Sequence, residues 1–176
     1  FSEPINGFTI SDLSPLGGTL SQFTKLDDLN YTVRFTALDG YSNEGRVTLS
    51  GGYVDLWGNT GSSGFDTVAI DTLNPSVYVQ IEAASLNAAN AQSIVTFEFS
   101  EVVSQFALED ITVVGGSLVG FTQVDGNTFT ATLMAADGFR GSGRVEVAST
   151  YQDAVGNSGL SGSDTVAIDT LRPSVV

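Results

Sequence analysis

Two stretches of this chain are near-copies of each other, set about 98 residues apart with no insertion between them. Phe1-Ser2-Glu3 recurs as Phe99-Ser100-Glu101. Tyr53-Val54-Asp55-Leu56-Trp57-Gly58-Asn59 recurs as Tyr151-Gln152-Asp153-Ala154-Val155-Gly156-Asn157. Asp66-Thr67-Val68-Ala69-Ile70-Asp71-Thr72-Leu73 recurs as Asp164-Thr165-Val166-Ala167-Ile168-Asp169-Thr170-Leu171. Nearly half of the overlapping positions are identical, which chance does not produce. A period of this length is one small domain, so the chain reads as part of a tandem array. The copies are out of phase with the chain. Residues 72–169 form a complete repeat, 1–71 a repeat without its first quarter, and 170–176 a linker and the start of the next repeat. With Phe1 in first place and no leader segment, the chain reads as an excerpt of a longer protein.

Within the complete repeat, apolar and polar residues alternate with a period of two, which predicts short strands. They are expected at Val77–Ile81, Ile94–Phe99, Ile111–Val114, Leu118–Val124, Thr128–Met134, Arg144–Ala148 and Thr165–Ile168. Asp125-Gly126-Asn127 supplies a hairpin turn, because Gly and Asn adopt positive φ at low cost. No stretch carries a helical pattern. Seven short antiparallel strands in one repeat predict an all-β chain of tandem immunoglobulin-like antiparallel β-sandwiches. The expected inward residues are Val95, Phe97, Phe99, Phe106, Leu118, Phe121, Phe129, Leu133, Val145, Val147, Val166 and Ile168. Phe1, Phe8, Leu20, Phe23, Tyr31, Val47 and Ile70 play that part in the first copy. Trp57 stands in a loop opposite Val155, so partial exposure is expected.

Composition narrows the function. Twenty Asp and Glu against six Lys and Arg give a net charge of −14, which disfavours nucleic acid and anionic lipid and attracts cations. The absence of Cys rules out disulfides and thiolate metal sites, and the absence of His removes the commonest general base and zinc ligand. No apolar run reaches the length of a membrane helix. Paired carboxylates could in principle hydrolyse glycosides, but here they recur in both copies at loop positions. The chain is therefore expected not to be an enzyme.

Phe-Ser-Glu, Tyr-x-Asp-x-x-Gly-Asn and Asp-Thr-Val-Ala-Ile-Asp-Thr-Leu-x-Pro together resemble the bacterial Ig-like repeats of giant surface adhesins. The extender regions of RTX-type biofilm and ice-attachment adhesins are examples, and the resemblance covers the whole chain. It implies an extracellular rod on the bacterial cell surface, made of neighbouring repeats stiffened by calcium at their junctions. The rod would hold a distal binding domain away from the cell in cell adhesion.

The recurring charges point to a cation as well. Acidic residues recur at Glu3/Glu101, Asp12/Asp110, Asp27/Asp125, Asp39/Asp137, Asp55/Asp153, Asp66/Asp164 and Asp71/Asp169, whereas only Arg46/Arg144 recurs among the bases. Carboxylates held together without basic neighbours repel one another, and calcium, with six to eight oxygen ligands in flexible geometry, is the simplest counter-charge. The strand order predicts that Asp39, Asp71, Glu101, Asp153, Asn157 and Asp164 converge at one junction. Glu3, Asp55, Asn59 and Asp66 are their counterparts in the first copy, and Asp137 with Asp169 would open the next junction. Each has a plainer reading. Asp39 and Asp137 precede Gly as turn residues do, Asp12 and Asp110 cap a turn, and Asp125 and Asn127 form a hairpin. Neither an EF-hand loop nor the RTX nonapeptide is present. The short linker Asp71-Thr72-Leu73-Asn74-Pro75 is stiffened by Pro75, which fixes its own φ and restricts Asn74.

Two other functions fit the same residues. One is a filament, sheath or surface-layer subunit in which homotypic assembly by strand donation completes the first copy. The other is a glycan- or surface-binding module, which would ordinarily carry a distinctive loop that neither copy has.

Overall fold

The computed structural model describes residues 1–175; Val176, the last residue of the expected linker and start of the next repeat, lies outside the described residues. Two units form, Phe1–Leu73 and Asn74 onward. The first contains β1 (Ile5–Asn6), β2 (Leu13–Leu16), β3 (Gly18–Lys25), β4 (Tyr31–Ala37), β5 (Ser42–Leu49), β6 (Val54–Asp55) and β7 (Gly64–Asp71). The second begins with β8 (Val77–Ile81), β9 (Ser85–Asn87) and β10 (Gln92–Phe99). It continues with β11 (Val103–Ser104), β12 (Ile111–Val114), β13 (Gly116–Gln123), β14 (Thr128–Ala135), β15 (Arg140–Val147), β16 (Gln152–Asp153) and β17 (Gly162–Asp169). The only helical elements among the described residues are two three-residue 3-10 turns, at Ile10–Asp12 and Leu108–Asp110.

In the second unit one sheet has the order β13-β14-β10-β8 and the other β12-β15-β17-β9. The alternation in β10 shows why they stack. Ser93, Val95, Phe97 and Phe99 are buried, while Gln92, Ile94 and Glu98 face water. Phe129, Ala131 and Leu133 of β14 and Val145 and Val147 of β15 complete the core with Val166 and Ile168 of β17. Burying each large side chain contributes roughly 1.5–3 kcal/mol. Phe99 anchors an aromatic cluster, with ring centroids 4.8 Å from both Phe106 and Tyr151 and 5.8 Å from Phe129. All the inward residues expected in this unit are buried or half-buried.

The expected strands are present: Val77–Ile81 and Ile111–Val114 match, the others start earlier or end later, and Val124 and Ala148 fall just beyond β13 and β15. β15 begins at Arg140 rather than Arg144, because the Arg140-Gly141-Ser142-Gly143 segment, poor in β-formers, is held by its ladder to β17. β9 was not anticipated. Its three residues carry one apolar side chain, Leu86, yet they pair in parallel with β17 and move the first edge of the chain from one sheet to the other.

The first unit repeats β11 to β17 as β1 to β7 and has no counterpart of β8, β9 and β10. Its aromatic residues are accordingly less covered than expected. Phe8, Leu20, Phe23, Tyr31 and Val47 are only half-buried, and Phe1 is exposed although its ring meets Phe8 and Tyr53 edge-on at 5.1 Å. The physical reason is that the strands flanking Phe99 in the second unit have no equivalent around Phe1. Trp57 is 89% exposed.

Candidate functional site

Asp153 follows β15 and is buried, 3% exposed, at one end of the second unit. Its Oδ1 accepts the amides of Val155 (2.9 Å), Gly156 (2.7 Å) and Asn157 (2.9 Å), and its Oδ2 accepts the side-chain amide of Asn157 at 2.7 Å. Burial alone pushes this carboxyl up, but the donors from Asn157, Val155 and Gly156 outweigh it and hold it below the usual Asp value. Gly156 adopts φ +98°, which the chain needs to bring three successive amides round to one oxygen. Asp153 is thus the organiser of the Asp-x-x-Gly-Asn loop as well as a candidate ligand. The loop is repeated in the first unit. Asp55 Oδ1 accepts the amides of Trp57 (2.7 Å) and Asn59 (2.8 Å), and its Oδ2 accepts the Asn59 side chain at 2.6 Å, which with the backbone amides lowers its pKa.

Glu101 follows β10 at the same end of the second unit, half-buried, with Oε1 shielded from solvent. A carboxylate oxygen of Glu101 lies within 4.8 Å of one of Asp153. Two oxygens each 2.3–2.6 Å from one calcium ion are at most about 5 Å apart, so this pair is close enough to share one. The neighbouring turn between β13 and β14 closes the same end. Asn127 donates its side-chain amide to Phe99 O at 3.1 Å, and Asp125 accepts the Asn127 amide at 3.0 Å as a hairpin former.

The other expected ligands make contacts of their own within their units. Asp164 sits on β17, and its Oδ2 accepts the Ile81 amide at 2.8 Å while Oδ1 accepts the Thr165 amide at 2.7 Å, so it ties one sheet to the other. Asp66 Oδ1 accepts the Thr67 amide in the same way. Asp137 and Asp169 are exposed at the opposite end of the second unit, and Asp169 lies 3.4 Å from Arg140. Asp39 is exposed in a turn whose Gly40 has φ +64°. Glu3 is exposed and lines a cavity of about 230 Å³ in the first unit with Asp55 and Asn59. Asp71 ends β7, half-buried, and accepts the Leu73 amide at 3.2 Å. Asp12 and Asp110 cap their 3-10 turns, accepting the Thr9 amide at 2.8 Å and the Ala107 amide at 2.9 Å.

One recurring residue was passed over in the sequence. Thr170 is 2% exposed; its hydroxyl donates to Ala136 O at 2.6 Å and accepts the Phe139 amide at 2.9 Å. Thr72 does the same in the first unit, with Leu38 O at 2.7 Å and the Tyr41 amide at 2.9 Å. The signal was its place inside the repeated Asp-Thr-Leu, next to a recurring charge that drew attention away from it.

Among solved structures, the chain is similar to SGBP-B of the Bacteroides ovatus mixed-linkage glucan utilization locus, in complex with a mixed-linkage heptasaccharide. The identity is 19% and the TM-score 0.28, over 90% of this chain and 37% of that one. Comparison with curated proteins returned no match. The family model described as "Bacterial Ig-like domain" matches twice, over residues 1–70 and 71–170. Two matches that together span almost the whole sequence, on sandwiches built from one repeated set of strands, place the chain in the family of bacterial Ig-like domains.

Proposed function

We propose that this chain is a structural extender segment of a long bacterial cell-surface adhesin, without catalytic activity, whose domains are joined by linkers that calcium stiffens. The observation that carries this reading is the pair Glu101 and Asp153, two carboxylates within 4.8 Å at one end of a bacterial Ig-like domain. Both are recurring positions, and no basic side chain recurs beside them in the sequence. Asp71 is the third ligand in this reading. The second family match begins at it, and three residues separate it from Pro75. Asn157 belongs to the same loop as Asp153 and supplies an amide next to the ion.

The role is mechanical. Calcium would remove the repulsion between Glu101 and Asp153 and draw in Asp71, ordering a linker that Pro75 already restrains. Extracellular calcium modules bind at about 10⁻⁴ to 10⁻³ M, so a millimolar environment fills them. Small-angle scattering of the full chain in EGTA and in millimolar calcium tests the idea. The expected result is a narrower distribution of interdomain distances with calcium and no change with magnesium. Identical curves in all three conditions would remove calcium from the mechanism.

A further inference from the structure

The outward face of the β2-β5-β7 sheet differs chemically between the two copies. Arg46 of β5 stands opposite Leu16 of β2 and Thr67 of β7, and Thr48, two residues along β5, stands opposite Phe65. Gly45 and Val47 on either side of Arg46 turn toward the core, so Arg46, Thr48, Phe65 and Thr67 turn away from it. In the second unit β12, β15 and β17 form the same ladders, and Val114, Ser163 and Thr165 hold these positions and are exposed. The face is therefore open to water in a repeat that has all its strands.

The recurring arginine is held differently in each copy. Arg144 Nη1 lies 2.8 Å from Glu146, and its Nη2 donates to Ser163 Oγ at 3.2 Å. In the first unit both partners are replaced, Glu146 by Thr48 and Ser163 by Phe65. Arg46 lays its guanidinium over the Phe65 ring, 3.8 Å from the centroid, and no carboxylate among the described residues forms an ion pair with it. Its Nε is shielded and meets no acceptor, so the Nη groups are what a ligand can reach. Phe65 is 65% exposed. A guanidinium stacked on a ring keeps its in-plane donors available, and their paired geometry matches the two oxygens of a carboxylate. The free ring surface suits the C–H face of a sugar, and Thr48 and Thr67 set hydroxyls beside it. The net charge of −14 repels a polyanion, so the fit is to one carboxylate rather than a run of them.

We propose that Arg46, Phe65, Thr48 and Thr67 bind an acidic sugar, a uronate on an otherwise neutral saccharide. The carboxylate accepts from the Arg46 Nη groups, the sugar ring lies on Phe65, and its hydroxyls meet Thr48 and Thr67. The second unit does not share the site, because Glu146 already neutralises Arg144 and Ser163 offers no ring. One repeat of the array thereby carries a weak, salt-sensitive saccharide contact that its neighbour lacks. The site uses none of the carboxylates assigned to calcium.

The test is a titration of the isotope-labelled full chain with sodium glucuronate in calcium-free buffer, followed by amide shifts in NMR. Glucose, sodium acetate and a short Asp-containing peptide are titrated alongside. Saturable shifts of the Arg46, Thr48, Phe65 and Thr67 amides are expected with glucuronate, with no saturation in glucose or acetate and no shift at Arg144, Ser163 or Thr165. Thr48→Glu and Phe65→Ser install the residues that the second unit folds with, and each should weaken binding about tenfold or more, the effect of losing one charge-assisted contact. The converse pair, Glu146→Thr with Ser163→Phe, should bring glucuronate shifts to the second unit. Amides unmoved by glucuronate, equal saturation by acetate or by the peptide, or full binding in folded Thr48→Glu and Phe65→Ser variants overturns the proposal.

Discussion

Asn157 returns to Asp153 twice, its backbone amide reaching Oδ1 at 2.9 Å and its side-chain amide reaching Oδ2 at 2.7 Å, so that one carboxylate closes a five-residue loop. Asn59 does the same to Asp55 at 2.8 and 2.6 Å. The carboxylate is needed in its ionised, acceptor-only form. Asp153→Asn puts a donor opposite the Asn157 side chain, and the expected loss in the second unit at pH 7 is about 1–3 kcal/mol. Amide hydrogen exchange of β10 and β14 against urea measures it. An unchanged exchange free energy would show that the loop stands without the charge.

The same carboxylate predicts an acid limb. The Asp153 pKa is lowered in the folded state, so on acidification the unfolded chain takes up its proton first. The stability linked to it is present above the unfolded value of about 3.9 and is lost as pH falls through the lower folded value. Asp125, lowered first by the Asn127 amide, contributes in the same direction. Urea midpoints of the second unit are expected to hold level from pH 7 to pH 5 and to fall below about pH 4. The slope should be shallower in Asp153→Asn, and equal slopes would assign the acid limb to other groups.

Thr170 and Thr72 fasten the end of the last strand to the turn before β15 and β5 through one hydroxyl each. Thr170→Val keeps the shape and leaves the Ala136 carbonyl and the Phe139 amide without that hydroxyl. The expected cost is about 1–3 kcal/mol, with Thr170→Ser recovering most of it. Chemical denaturation of the three proteins, followed by circular dichroism, decides this. A Ser variant no better than Val would assign the effect to the methyl group instead.

Two positions hold positive φ in both units with different residues. Gly7 (φ +70°) corresponds to Gln105 (φ +62°), and Gly120 (φ +65°) to Gln22 (φ +52°). A left-handed conformation costs an ordinary L-residue about 1–2 kcal/mol, against a greater loss of chain entropy for Gly of roughly 0.5–1 kcal/mol. Gln105→Gly is therefore expected to raise stability by up to about 1 kcal/mol, and Gln105→Val to lower it by at least as much. Hydrogen exchange within the second unit reads both, and a destabilised Gly variant would mean that the Gln105 side chain contributes more than its backbone costs.

These positions show what a sequence discloses and what it conceals. The strands were legible because alternation and repetition coincide: Val95, Phe97 and Phe99 face inward, and their spacing says so. β9 was not, because Leu86 alone cannot show a period. Among the acids, recurrence marked position but not role. Asp153 and Asp164 recur equally, yet one organises a loop and the other caps Ile81 across the sandwich. Only the fold distinguishes them, since the amides they accept lie up to 83 residues away in sequence. Thr170 was hidden because a hydroxyl between two charged or apolar neighbours has no pattern of its own.

The pairing of Glu101 with Asp153 yields the prediction on which the proposed function depends. A cation that binds only the folded domain stabilises it by mass action, and 10 mM calcium acting on a site of about 10⁻⁴ to 10⁻³ M contributes about 1.4–2.7 kcal/mol. For a domain of this size that is a shift of roughly 6–20 °C in melting temperature. The shift should be small with magnesium, which sheds its waters reluctantly and demands a tighter octahedron. Glu101→Gln keeps the side-chain shape and removes one charge, so most of the calcium shift should vanish, and Asp71→Asn should act alike if Asp71 is the third ligand. Asp164→Asn, which touches the Ile81 amide rather than the pair, should keep the shift while lowering the baseline. A wild-type melt indifferent to calcium, or a Glu101→Gln variant that responds as the wild type does, would leave the recurring carboxylates as loop and solubility residues and the linker stiffened by Pro75 alone.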